Sequence, residues 1–398
     1  MGSSLDSGYF SEAYSSARLR FLQAAWELQK QSLKAEHFEL PLSSKLNESL
    51  SADAIYFPAT EKARKLFILS SGIHGAEAPL GSAIQLYFLR RVLPFINRSD
   101  TGILLFHSLN PYGFYTGRRV TENNVDLNRN FLTSESDFKI LRNVAYEKLQ
   151  HLIAPEQSVD HYFLDKLTIG LRMLRHAMKG VGARQKLRQA FAGGQYSDSK
   201  GIFYGGRAHE PQVKWVANLL DKIIPSHEEV LLYDVHSGLG RAEAIQMIAS
   251  LKCDPRDTSS KKLNETLKNE TGIFFVSPET DGFYTTSGDF VDFVYAKAIK
   301  HGARVAAYTA EFGTLGETVI SQLSTSVRII LENRGYHWGY ALREIEWKVK
   351  KSFTELFNPS MEAWRQNALR LADKILYAAL SAGKSTYSQL SGKSEAGQ

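Results

Sequence analysis

Three residues able to bind a metal or move a proton stand where apolar runs end. His74 follows "KLFILSSGI", His236 follows "VLLYDV", Glu311 closes "RVAAYTA", and Glu77 comes one helical turn after His74. A lone histidine at a strand end is usually structural. Three strand ends that deliver His, His and Glu are harder to explain that way, because open α/β sheets bind ligands at the carboxyl ends of their strands. A His-x-x-Glu turn lets both side chains reach one ion, and a histidine from a distant strand completes a His2Glu set. Catalytic zinc commonly takes such a set and keeps a position for water. The expectation is therefore one Zn2+ per chain, held by His74, Glu77 and His236. Bound zinc lowers the pKa of its water to about 7 and polarises a carbonyl. A carboxylate near the open position then acts as general base, and Glu311 is the candidate.

A second polar cluster is "GRRVTENNVDLNRNF", residues 117–131, after the "GILLFHSLNPYGF" run. An Asn-rich surface turn is the plain reading. Arg119, Asn128 and Arg129 together would also suit an anionic substrate or a developing oxyanion.

These residues need strands to carry them. Strand-like runs fall at 54–59, 65–71, 102–109, 229–237, 272–278 and 303–312. Several are continuously apolar, the pattern of strands buried on both faces of a sheet. Helical periodicity fills 10–34, 80–95, 212–224, 256–270, 288–301, 315–334 and 360–382. This is an α/β layout, with a central mixed, mostly parallel sheet of about eight strands in a three-layer α/β/α arrangement. Residues 132–195 are charged and helical with no strand signal, which reads as an insertion within one domain spanning 1–382. The polar stretch 383–398 is expected to be disordered.

Composition bounds the rest. The chain has 398 residues, 43% hydrophobic and 23% charged, with a net charge of +6 and one cysteine, Cys253. A core of useful size is affordable at this length, and neither a disulfide framework nor a cysteine-based zinc site is possible. Lys and Arg are scattered among acids, as in "EIEWKVKK", so neither a nucleic-acid nor a membrane partner is expected. There is no signal-peptide pattern and no apolar run of spanning length, and the expected location is the cytoplasm. Four N-x-S/T sequons, at Asn47, Asn97, Asn264 and Asn269, read as chance occurrences in that setting.

"HGAE", "VDLNRNF", "LYDVHSG" and "AEFGT", in that order, resemble the zinc metallocarboxypeptidase superfamily. The opening "YFSEAYSSARLRFLQAA", "SSGIHGAEAPLGSAIQ" and "GIFYGG" are most similar to an uncharacterised, mainly bacterial branch of it, and the likeness spans roughly residues 8–380. The resemblance implies that His74, Glu77 and His236 bind zinc and that Asp126 orients His74 through its other ring nitrogen. It implies that Asn128 and Arg129 hold a substrate carboxylate. Arg119, with Arg118 as its rival, would stabilise the oxyanion, and Glu311 would activate the water. "FYTTSGDFVDFVY", residues 283–295, is similar to the segment that carries the mobile tyrosine of digestive carboxypeptidases. By that likeness Tyr284 caps the substrate and Val291 lines a specificity pocket. His236 lies further beyond His74 than in the digestive enzymes, which the insertion accounts for. Arg119 and Asn128 are closer together, as in deacylase relatives. The implied activity is amide hydrolysis next to a free carboxylate, on a peptide. The alternatives are an N-acyl amino-acid deacylase of the aspartoacylase or succinylglutamate desuccinylase type, and a non-catalytic binding protein on the same fold. Oligomeric state is not legible.

Overall fold

The computed structural model describes residues 7–46, 48–252, 267, 271–276 and 286–381. Eight strands form one mixed, mostly parallel sheet in the order β1-β2-β4-β3-β5-β8-β6-β7. They are β1 (Glu36–Leu42), β2 (Leu50–Phe57), β3 (Lys65–Ser71), β4 (Thr101–His107), β5 (Glu229–Ser237), β6 (Ile245–Ala249), β7 (Ile273–Val276) and β8 (Arg304–Phe312). The central strands β4, β3, β5 and β8 run parallel. They are the apolar runs legible in the sequence, and helices cover them on both faces. On one face Phe67, Leu69, Tyr233, Val235, Tyr308 and Ala310 belong to a cluster with Phe21, Leu80 and Leu376. On the other, Leu66, Ile68, Leu104, Leu232 and Ala307 cluster with Val216, Leu220, Phe290 and Val294.

Two strands and two helices, Pro111–Thr116 and Arg343–Phe357, depart from the expectation. β1 ("EHFELPL") is a mostly exposed edge strand, and its Glu and Pro residues suit an edge that must not pair further. β6 ("IQMIA") is short and antiparallel to β8. The helix Arg343–Phe357 hides Ile345, Val349, Phe353 and Leu356 among its charges, at helical spacing. The expected strand at 54–59 starts earlier and ends at Phe57, before Pro58.

Residues 132–195 contain the helices Asp137–Ile140, Val144–Ile153, Tyr162–Ala177 and Val181–Ala192. The last three share a third cluster with Val327, Ile330 and Phe353. The expected helix over 256–270, apart from Leu267, and the stretch 383–398 lie outside the described residues. Among the described residues, no helix is long and apolar enough to cross a membrane.

Candidate metal centre

The period of two along a strand decides which side chains meet. On β5, Val230 and Leu232 belong to the second apolar cluster, so Asp234 and His236 continue that face. On β3, Ser70 continues the face of Leu66 and Ile68, and on β8, Glu311 continues that of Val305 and Ala307. Ser70 stands opposite Asp234 in register, and His236 opposite Glu311. A face that is apolar along the strand bodies therefore becomes polar at their carboxyl ends.

His74 reaches the same place from the turn after β3. Gly72 sits at φ +68°, in the left-handed region. A Cβ on Gly75 would come 2.0 Å from the Gly113 carbonyl carbon. The turn is thus pressed against the helix Pro111–Thr116, whose first turn Asn110 caps by accepting from Gly113 N. The Arg119 carbonyl accepts from Gly75 N at 3.1 Å and from Asn110 Nδ2 at 3.0 Å, which ties the 117–131 segment to the turn.

The three sequence-derived donors converge. Candidate ligand atoms of His74, Glu77 and His236 all lie within 4.8 Å of one another, and all three residues are buried. His74 Nδ1 lies 2.9 Å from Glu77 Oε1, and His236 Nδ1 lies 3.0 Å from Glu77 Oε2. Each imidazole is held from behind by its own carboxylate: His74 Nε2 is 3.1 Å from Asp126 Oδ1, and His236 Nε2 is 2.7 Å from Asp234 Oδ2. Asp126 in turn accepts from Arg119 Nε at 2.9 Å, and Asp234 accepts from Ser70 Oγ at 2.6 Å. Arg119 also donates to Glu77 at 3.2 Å, and Ser237 N donates to Glu77 at 3.0 Å. Leu239 N donates to Glu311 at 2.9 Å.

The electrostatics follow from crowding charges into a dry site. Burial pushes the Glu77 carboxyl up, but the His74 and His236 imidazoles outweigh it and hold it well below the usual range. Burial likewise opposes ionisation of Asp126, and Arg119 and His74 overcome it. Burial would lower His236, yet Asp234 and Glu77 raise it well above an ordinary histidine. At Glu311, His236, the Leu239 N–H and Arg119 favour the charged form but do not outweigh the opposing causes. Burial and then the charge of Glu77 raise it to about 7. Four buried acids, Glu77, Asp126, Asp234 and Glu311, thus meet here, and the Arg119 guanidinium bonds two of them. With both imidazoles neutral the group is strongly negative, and a divalent cation between the Nδ1 atoms and Glu77 would offset it. The residues fit such an ion. Both imidazoles face Glu77 through Nδ1, and carboxylates fix their Nε2 sides, as ligating histidines require.

A family described as "Protein of unknown function (DUF2817)" matches residues 10–371. The chain belongs to this DUF2817 family. No curated protein matches it. Solved structures similar to it include bovine thrombin-activatable fibrinolysis inhibitor in complex with tick carboxypeptidase inhibitor, at 14% identity and a TM-score of 0.48, covering 92% of this chain and 97% of that one. Carboxypeptidase A from Helicoverpa armigera is 13% identical with a TM-score of 0.45, covering 86% and 73% of the two chains. A metallo-carboxypeptidase from Burkholderia cenocepacia is 12% identical with a TM-score of 0.40, covering 78% and 66%. These likenesses are distant and carry no argument about activity, which rests on the residues themselves.

The remaining expected residues of this DUF2817 chain divide. Arg119 stands in the cluster, its guanidinium 4.7 Å from the Phe203 ring centroid. Arg118 is turned into a separate site, bonded to Glu332 at 2.7 Å and lying 3.4 Å over the Tyr336 ring. Asn128 Nδ2 donates to Asp289 at 3.1 Å, and its Oδ1 accepts from Phe290 N. Arg129 donates to the carbonyls of Asn128 and Ala192. Both heads already have internal partners. Val291 is packed in the second apolar cluster, with the cluster residues rather than with the donors. Tyr284 lies outside the described residues.

Several residues at the site were missed by sequence reasoning. Asp234 had a signal: Asp-x-His on a buried strand puts both side chains on one face. Phe203, Tyr204 and Tyr196 had none beyond the "GIFYGG" likeness. Phe203 lies under Arg119, the Tyr204 carbonyl accepts from Asp126 N, and Tyr196 donates to the Arg129 carbonyl. The segment 196–204, just after the helical stretch, thus walls one side of the cluster.

Proposed function

We propose that this chain is a zinc-dependent hydrolase that cleaves an amide bond next to a free carboxylate, as a metallocarboxypeptidase does. The observation that carries the reading is the buried His74–Glu77–His236 set, each imidazole backed by its own carboxylate, with Glu311 beside it. When bound, the ion lowers the pKa of a water and polarises the scissile carbonyl. Glu311 takes the proton of the attacking water and passes it to the leaving amine nitrogen. In the metal-free chain this carboxyl is raised to about 7; a bound divalent cation would lower it, favouring the carboxylate that accepts the water's proton. Arg119 turns its guanidinium from the neighbouring acids to the oxygen that gains charge. Asn128 and Arg129 hold the substrate carboxylate, exchanging their Asp289 and Ala192 partners to do so. Tyr284 caps the bound substrate, and Val291 acts on side-chain preference through packing beneath the pocket.

The test begins with zinc content by elemental mass spectrometry. About one zinc per chain is expected, and none in His74→Ala. Peptides with free C-termini, the same peptides as C-terminal amides, and N-acyl amino acids then separate the activities. Cleavage of the free peptides alone fits the proposal. Turnover of N-acyl amino acids alone would replace it with deacylation. A protein that takes up no zinc on reconstitution would overturn it.

A further inference from the structure

The chain-wide balance of charge hides a local imbalance. No Asp or Glu occurs from Lys166 to Gln195, while Lys166, Arg172, Arg175, Lys179, Arg184, Lys186 and Arg188 supply seven positive charges, against a net charge of +6 for the whole protein. All but the half-buried Lys166 are exposed. The expectation of a surface with evenly mixed charge fails for this stretch.

The helix Tyr162–Ala177 has two apolar sides. Ile169 and Met173 face inward, in a cluster with Val327 and Ile330. Phe163, Leu164, Leu167, Leu171 and Leu174, with Met178 just past the helix end, are exposed, from 38% at Leu174 to 78% at Met178. At about 100° per residue, these six fall within an arc of roughly 100°, on the side away from Ile169 and Met173. On the same count Arg175, Lys179 and Arg172 follow along one edge of the arc. The acids just before the run are engaged: Asp165 pairs with Arg334 at 3.3 Å, and Asp160 accepts from the Ser158 hydroxyl. At the other end Lys348, from the neighbouring helix, stands 5.6 Å from the Phe163 ring and is paired with Glu344, so that end is balanced and the surplus charge lies on the Arg172–Lys179 edge.

We infer that this face docks on an anionic lipid bilayer, its Phe–Leu–Met ridge at the acyl boundary and its arginines and lysines among the phosphates. Charge complementarity selects the occupant. A second copy of the chain would set Arg172, Arg175 and Lys179 against the same three cations. A nucleic acid would satisfy the cations and leave the apolar ridge in water. A folded protein partner would need a groove to receive side chains that stand this far out. A bilayer accepts a ridge without a preformed groove. The inference revises the expectation that the chain has no membrane partner. The anchoring side of the helix shares its cluster with Ala76 of the metal-binding turn, so docking would hold the candidate metal centre near the membrane surface.

Flotation of the full-length protein with phosphatidylcholine vesicles, with and without about 30% phosphatidylglycerol, tests this. Binding is expected to the anionic vesicles only. The triple variant Arg172→Glu/Arg175→Glu/Lys179→Glu should bind about 100-fold more weakly, from roughly fivefold per basic residue. The variant Leu167→Ser/Leu171→Ser/Met178→Ser should lose at least about tenfold. Thermal melting checks that both still fold, and vesicle binding by His74→Ala separates this result from the fate of the proposed hydrolase. No binding to anionic vesicles at low salt would overturn the inference. So would equal binding to neutral vesicles, an apolar variant that binds like the parent, or a solution dimer dispersed by that variant.

Discussion

At the carboxyl edge of the sheet, Glu77, Asp126, Asp234 and Glu311 are at most 5% exposed, and each accepts hydrogen bonds from within the chain. Along the helix Tyr162–Ala177 the opposite holds: cations stand in water without acids in their stretch, and large apolar side chains stand beside them. The difference follows from dielectric. A charge taken out of water is tolerated only when paired and hydrogen-bonded, so the buried cluster is reciprocal, its one surplus being negative charge of the kind a divalent cation neutralises. An exposed charge carries no such obligation, and an imbalance there costs little until a partner arrives. By the proposals above, a small ion would complete the metal centre and a surface would complete the helix face.

Substitutions in the two regions should therefore differ by orders of magnitude in what they do. His74→Ala or His236→Ala should abolish zinc retention and reduce hydrolysis to background, read by elemental analysis and a peptide assay. Glu311→Gln should keep its zinc and lose about 10²–10⁴ in kcat, and Arg119→Ala about 10²–10³, in kcat more than KM. An Arg118→Ala variant with the larger loss would reverse the choice between the two arginines. Asp234→Asn and Asp126→Asn should each weaken metal affinity about 10–100-fold by competitive chelation. An unchanged affinity in Asp234→Asn would reduce that residue to a structural one.

The metal-free protein gives a pH test with a definite sign. Glu311 is raised from 4.5 to about 7 in the folded chain, so the native state binds more protons than the unfolded state between those values. Stability of the metal-free parent should fall as pH rises through that window, by at most about 3 kcal/mol. Glu311→Gln lacks this titration, so its metal-free form should melt higher than the parent at pH 8, with the gap closing towards pH 5. The smallest effect belongs to the exposed ridge. Leu171→Ser should change stability by no more than about 0.5 kcal/mol, whereas Met173→Ala on the inward side of the same helix should cost about 2–5 kcal/mol. Similar losses for both would mean that the ridge is covered within the chain.

Legibility in the sequence tracked burial and period. β3, β4, β5 and β8 were visible because strands covered on both faces carry unbroken apolar runs. β1 and β6 were not, because a short or edge strand need bury only part of its surface. The helix Arg343–Phe357 was passed over because its charges mask four apolar positions at helical spacing. The basic face was lost to averaging: "EIEWKVKK" mixes its charges, and residues 166–195 do not.

The sequence by itself determined which residue types could bind a metal and which strand ends would present them, since the apolar run, the turn glycines and the strand period are local properties of the chain. Only the tertiary structure decided the partners. It placed Asp126 and Asp234 behind the two imidazoles, put Arg119 in the cluster while committing Arg118 to Glu332, and brought Phe203 under Arg119. Those pairings join segments tens to hundreds of residues apart. Their selection depends on strand order and on the cost of leaving a buried charge unpaired, neither of which is written in any single stretch of sequence.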